Sequence, residues 1–304
     1  MSFPDLLLVP NAVAGLLRVT GDDAFAYLQS QFSNDLRRPG IAHPATYGLW
    51  LTRKGKVAAD SLAVRLGDNE ILLLAFHTPA DKLEEKVLEN VIADDVTTSV
   101  PSWPVFTAAG SGSGALLISL GLPVPEPGTF AIDSDILVVA SRRGPAAYEL
   151  IDRGPVPTLA ARIAKTNTPM AGPDALEAPR LLAGVPRVPE DCGPGDLPQE
   201  AGLDSDAVSF SKGCYLGQEV MARLQAQGRA NRVLTRIIIN KDVAANAGDK
   251  LYAGDSEAGE IRSKIATGAG CVAMAMLRIR VAETVETFST TPGGAPAATR
   301  FPAS

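Results

Sequence analysis

Histidine and cysteine are the scarcest chemistry-bearing residues in this chain. Two histidines, His43 and His77, and three cysteines, Cys192, Cys214 and Cys271, are scattered through 304 residues. No cysteines stand at zinc-finger spacing, so no metal site is expected from the sequence. Such sparse cysteine usage fits a reducing cytoplasm and not a disulfide scaffold. No apolar run is long enough to cross a bilayer. The opening Met-Ser-Phe-Pro-Asp lacks the basic and apolar regions of a secretory signal, so none is expected. No GxGxxG follows a strand-like run and no GxxxxGK[ST] occurs, which leaves dinucleotide and NTP binding without support. GxSxG is absent too. A net charge of -6 argues against a general nucleic-acid surface.

What is present is 46% hydrophobic residues, enough for a sizeable core. The length suggests two or three domains or one large composite. The most unusual stretch is Ser211-Lys212-Gly213-Cys214-Tyr215-Leu216-Gly217-Gln218-Glu219. It reads as a strand led in by Val208 and Phe210, a tight turn and a helix start. Leu216, Val220 and Leu224 share one helical face, and Glu219 and Arg223 form an i,i+4 pair opposite. Cys214 is thus expected ahead of a helix N-terminus and near the Lys212 ammonium, which both favour a thiolate. A free cysteine also commonly packs as a small hydrophobe, and the local pattern leaves both readings open.

Along the chain, strands are expected at Leu6 to Val9, Leu16 to Val19, Thr46 to Leu51, Val57 to Leu66 and Glu70 to Phe76. Others are expected near Val96 to Val100, Ala115 to Leu120, Ile136 to Ser141 and Ala147 to Ile151. A capping box at Thr20–Asp23 opens a helix carrying Phe25, Leu28 and Phe32. Further helices are expected over Asp81 to Ile92, within Pro155 to Lys165 and over Asp174 to Leu182, the last interrupted by Pro179. This pattern is α+β. Asp60 shares the parity of Leu62, Val64 and Leu66 and should face the apolar side of its sheet. It is either paired or functional there, or the strand end is exposed. A proline- and glycine-rich loop over Ala183 to Leu203 leads to the cysteine turn. Arg229, Arg232 and Arg236 follow as a basic cluster. Four strands between Val233 and Arg278 suggest a closing all-β module. From Thr290 the composition suggests a disordered tail.

Lys212-Gly213-Cys214-Tyr215-Leu216-Gly217-Gln218-Glu219 resembles the signature of the YgfZ-type folate-binding family, relatives of the glycine-cleavage T-protein, an aminomethyltransferase. Gly21 to Phe25, Gln31 to Asp35, Leu51 to Val57 with Asp60, Arg180, Ala183 to Pro186 and Pro198-Gln199 extend the resemblance. Arg223, Gly228 and Arg232 continue it after the signature. It implies a three-module ring: two α+β modules, one ferredoxin-like, and a C-terminal β-barrel. The expected boundaries are 1–230 for the folate-binding region, 231–290 for the barrel and 291–304 for the tail. The resemblance also implies tetrahydrofolate or a derivative as cofactor, and iron–sulfur proteins or their assembly machinery as partners, including tRNA-modifying enzymes.

In site terms the resemblance points to Cys214 and Lys212 as the chemical pair within a motif of Gly213, Tyr215, Gly217, Gln218 and Glu219. Asp60, Gln199, Arg223 and Arg232 are the expected folate-binding residues, with the basic cluster receiving the glutamate tail. Aminomethyltransferases carry paired aspartates where this chain has Ala59-Asp60 and a pterin-binding glutamate where Leu182 stands, and they lack the cysteine. The expected function is therefore a tetrahydrofolate-binding accessory protein for iron–sulfur clusters. The alternatives are a folate-dependent one-carbon transferase and a non-catalytic scaffold.

Overall fold

The structure is a computed structural model that describes residues 4–144, 146–228, 230–267 and 270–301. Three antiparallel sheets form the frame. The first has the strand order Ala45–Leu51, Val57–Arg65, Glu70–Ala75, Gly15–Thr20, Thr97–Ser99. The second runs Leu7–Pro10, Val105–Ala109, Ala147–Asp152, Ile136–Ser141, Phe130–Asp133. The N-terminal strand therefore belongs to the second sheet although the stretch that follows, from Gly15 to Ser99, builds the first.

Period-two alternation explains how the two sheets face one another. In the first sheet Trp50, Ala59, Ala63 and Leu73 pack against Leu28 and Leu83 of the helices Ala24–Gln31 and Ala80–Leu88. Leu49, Leu62, Val64 and Leu74 point the other way. They meet Val105, Leu137, Val139 and Ile151 of the second sheet in one shared core. The second sheet's outer face is covered by the helices Ser113–Ser119 and Leu159–Ala164.

The third sheet has the order Lys250–Ala253, Ser256–Thr267, Gly270–Arg278, Arg232–Asn240, Ala298–Arg300, Thr287–Phe288. A bridge between Tyr252 and Ser289 brings its two edges together, so the sheet curls into a near-closed barrel around Ile237, Leu251, Ile261 and Ala275. Closure removes the exposed edges that an open sheet would present. Among the described residues no helix is long and apolar enough to cross a membrane.

Several expectations change. Ala115 to Leu120 is helical: Leu116 and Leu117 are buried and Ile118 is 70% exposed, a distribution that a short apolar run does not reveal. Asp23 makes no side-chain cap and instead accepts the Asp95 N–H at 2.8 Å. Pro179 does not break the helix Glu177–Ala183, because it stands in the first turn where its missing N–H is not needed. Val208 leads into the cysteine turn without a strand. The tail expected to be disordered from 291 contributes the strand Ala298–Arg300, paired with Arg232–Asn240, as far as the described residues extend.

Buried ion pairs tie the barrel to the rest. Arg180, 3% exposed, donates to Asp191 at 2.7 Å, to the Val185 carbonyl at 2.8 Å and to Ser263 of the barrel at 3.1 Å. Arg232 and Arg262 both reach Asp196, and Arg232 also grips Glu200. Arg180→Ala would strand the fully buried Asp191 carboxylate without its cation. Urea denaturation should show a loss of about 3–5 kcal/mol, the usual consequence of removing one partner of a buried pair. A loss within experimental error would show that the Arg180–Asp191 pair adds nothing to stability.

Candidate ligand cavity and the cysteine turn

Asp60 lies in the strand Val57–Arg65, on the face shared by the two sheets. It is 3% exposed, so the buried alternative holds. Its Oδ2 accepts the Tyr47 hydroxyl at 2.8 Å, and its Oδ1 has no partner. Tyr47 pairs with Leu62 across the neighbouring strand, which sets its ring diagonally against Asp60. Burial pushes the Asp60 carboxyl up to about 6, against the pull of Tyr47, Arg142 and Arg143. Asp60 lines a narrow cleft with Phe76, His77, Arg142, Glu177 and Arg180. Burial, and then Arg143, push His77 down to about 3, so its imidazole is neutral there.

A second cavity, of about 650 Å³, is lined by residues of the two sheets and of the short helix Asp204–Ala207. Arg142 lines both spaces. Its guanidinium stacks 3.9 Å over the Tyr47 ring and pairs with Asp206 at 2.6 Å. Arg143, next in sequence, is buried and donates to Glu149 and to the carbonyls of Ala12 and Phe76, clamping the two sheets beside the cleft. Sequence reasoning missed Tyr47, Arg142, Arg143 and Glu177. The one available signal was the twin arginine between two apolar strands.

The cysteine turn sits elsewhere. Gly217 has φ +85, and a Cβ there would meet the Thr52 carbonyl at 2.9 Å. Only glycine therefore lets the turn lie against the Thr52–Lys56 hairpin and start the helix Gln218–Gln227. Gly55 of that hairpin faces Val220 and Met221 equally closely. Cys214 is exposed, in a shallow depression of about 410 Å³ with Ser30, Gln31, Arg53, Gln218 and Glu219. Cys192 is fully buried, and burial pushes its thiol up; Cys271 is partly buried.

Lys212 is placed differently from the expectation. Its ammonium is 5% exposed and donates to the carbonyls of Phe32 at 2.7 Å and Asn34 at 2.8 Å. It is thus committed to the turn after the first helix and not turned toward the Cys214 thiol. Burial lowers it to about 8, with Asp35 opposing and Arg37 adding. Asn34 in turn donates to the carbonyls of Tyr47 and Asp206, which stand on two walls of the large cavity. The clasp links cavity and cysteine turn without bringing Cys214 and Asp60 into one pocket.

The other sequence candidates are not at the cavity. Gln199 donates to the Met221 sulfur at 3.5 Å, beneath the motif helix. Arg223 pairs with Glu219 on the surface, 2.8 Å apart. Arg232 is spent on Asp196 and Glu200, and Arg236 donates to the Leu182 carbonyl and stacks on Phe301. Arg229 lies outside the described residues. Arg232 and Arg236 are thus both engaged within the fold. Leu182 does not line the cleft, whereas Glu177, five positions earlier, does.

No family model matches the chain. It is 26% identical over 235 residues to the tRNA-modifying protein YgfZ of Colwellia psychrerythraea, covering 76% of this chain and 71% of that one. An iron–sulfur cluster assembly factor IBA57 homolog, mitochondrial, of Cryptococcus neoformans is 38% identical over 85 residues, 27% of this chain and 21% of that one. The crystal structure of the glycine cleavage system aminomethyltransferase T from Bartonella henselae superposes with a TM-score of 0.81 at 18% identity, covering 99% of this chain and 86% of that one. The chain is a YgfZ-type relative with the T-protein fold.

In this YgfZ-type relative the exposed thiol and the buried lysine have separable roles. Lys212→Met removes the donor to two carbonyls and should lower stability by about 1–3 kcal/mol. Cys214→Ser, at an exposed position, should leave the melting transition where it is. Alkylation of the native protein should label Cys214 before Cys192. Peptide mapping that finds Cys192 labelled first, or a Lys212→Met protein as stable as the parent, would contradict this assignment.

Proposed function

We propose that this chain is a cytoplasmic, tetrahydrofolate-binding accessory protein in the assembly or maintenance of iron–sulfur clusters, including those of tRNA-modifying enzymes. The observation that carries the ligand half is the unpartnered, buried Oδ1 of Asp60 in a narrow cleft that shares Arg142 with a large cavity. An orphaned, buried carboxylate oxygen is a costly feature unless a ligand N–H completes it. A reduced pterin offers several such donors on a flat edge. Bound there, a reduced folate supplies nitrogens able to carry a one-carbon group. Asp60 accepts and orients, the Tyr47 hydroxyl fixes the carboxylate plane, and the sheet faces exclude water.

The names of the relatives support the iron–sulfur half: a tRNA-modifying protein and a mitochondrial iron–sulfur cluster assembly factor. Cys214 is suited to contact with another protein, because it is exposed on the rim of its own depression. Among the described residues no group of three or more His, Cys, Asp and Glu side chains is arranged to hold a metal ion. A cluster handled as cargo would then take Cys214 together with thiolates supplied from outside this chain. Lys212 supports this role by holding the turn against the cavity wall.

One observation favours a second reading, a folate-dependent aminomethyl or other one-carbon transferase. Asp60 at about 6 is poised to take a proton near neutral pH. Product formation from an aminomethyl donor and tetrahydrofolate would establish it.

The ligand reading has a pH signature. Asp60 must be ionised to accept a ligand N–H. Calorimetry should show tetrahydrofolate affinity nearly constant above pH 7 and falling as pH drops below about 6. Asp60→Asn should weaken binding and flatten that dependence. The linked stability term has the opposite sense. The folded carboxyl titrates above its unfolded value of about 3.9, so this group's contribution favours folding below that value and is lost as pH rises through about 6. In a deletion strain, Cys214→Ala should fail to restore iron–sulfur enzyme activity while Cys192→Ala and Cys271→Ala restore it. No binding of any reduced folate would remove the ligand half, and full rescue by Cys214→Ala would remove the thiol half.

A further inference from the structure

We propose that Arg38 is the specificity-determining cation of the large cavity, and that the ligand it receives ends in a carboxylate tail. The inference rests on the folate reading above and adds to it which end of the ligand lies where. Among the described residues three charged side chains line the cavity: Arg38, Arg142 and Asp206. Asp206 is already engaged by Arg142 at 2.6 Å, and Arg142 is also stacked on Tyr47. Arg38 is left, half-buried, without an ion pair among the described residues. The cavity therefore carries a net positive lining in a chain of net charge -6.

Arg38 is held in place by its backbone. It adopts φ 35, a left-handed conformation uncommon for a residue with a side chain. Its loop is pinned to the facing segment by bonds from the Ala45 N–H to the Gly128 carbonyl at 2.9 Å and from the Phe130 N–H to the His43 carbonyl at 3.0 Å. The guanidinium lies over Gly128, where an added Cβ would stand 3.7 Å from Nη2. Pro125 and Pro127 make the adjoining wall stiff and free of competing N–H donors.

The order of the side chains gives the ligand a direction. Asp60 lines only the narrow cleft, Arg142 lines both spaces, and Arg38 lines only the large cavity. A ligand that met Asp60 with one edge and extended along Arg142 would enter the cavity that Arg38 lines. A guanidinium without a partner at that end matches a carboxylate in bidentate fashion. Arg232 and Arg236 are unavailable for this task because both are bound within the fold.

The test compares the wild-type protein with Arg38→Gln and Arg38→Lys, using three probes: tetrahydrofolate, its triglutamate, and the tail-less 6-methyltetrahydropterin. Arg38→Gln should weaken both tailed ligands by about tenfold and leave the tail-less ring unchanged. Arg38→Lys should recover part of the loss, and added salt should narrow the gap between wild type and Arg38→Gln. Equal weakening for all three probes, or no change for any, would overturn the assignment of Arg38 alone. Failure of the wild-type protein to bind any probe would overturn the folate reading, and this inference with it.

Discussion

The buried ammonium of Lys212 is the contact on which the arrangement of both sites depends. Two carbonyls from consecutive turns of chain, at Phe32 and Asn34, converge on it. The same segment uses Ser33 to bond the Ala207 carbonyl and the Leu49 N–H, and Asn34 to bond Tyr47 and Asp206. One cation thereby holds a polar turn in place inside a largely apolar interior, where its backbone carbonyls would otherwise be expensive to bury. The cysteine turn lies on one side of that knot and the large cavity on the other. A change at Lys212 reaches both without touching either a thiol or a ligand.

The cavity and the thiol make opposite use of water. Asp60 is excluded from it, and that exclusion gives the carboxyl its raised titration and leaves Oδ1 wanting a donor. Cys214 is open to it, on a glycine-dependent turn pressed against a hairpin. Their separation suits a protein that senses or carries a small molecule at one place and meets another protein at a second. It suits less well a single-centre reaction in which the thiol attacks the bound ligand.

Much of the fold was legible in the sequence. Strand alternation around Leu49, Leu62 and Val64, and the helical spacing of Leu83 and Val87, follow from local chemistry, and so does the inward parity of Asp60. The short apolar run at Ala115 to Leu120 was not legible, because a buried helix and a buried strand look alike over six residues. The strand Ala298–Arg300 was hidden by a composition typical of solvated chain, since its backbone is held by the barrel edge and not by its own apolar pattern.

The site divided along the same line. The residues of the motif declared themselves in sequence, because glycine at Gly217 and the exposed Cys214 answer to local backbone geometry. Partners did not. Lys212 is two residues from Cys214 in the chain, yet its ammonium is claimed by carbonyls about 180 residues away. Arg232 and Arg236 look like parts of one basic cluster in sequence, yet they end on Asp196 with Glu200 and on the Leu182 carbonyl. The sequence by itself determined which residues could be buried, turned or exposed, since those depend on short-range sterics and polarity. Only the tertiary structure decided which charge meets which, because ion pairs and cavities are made by segments that the chain brings together from far apart.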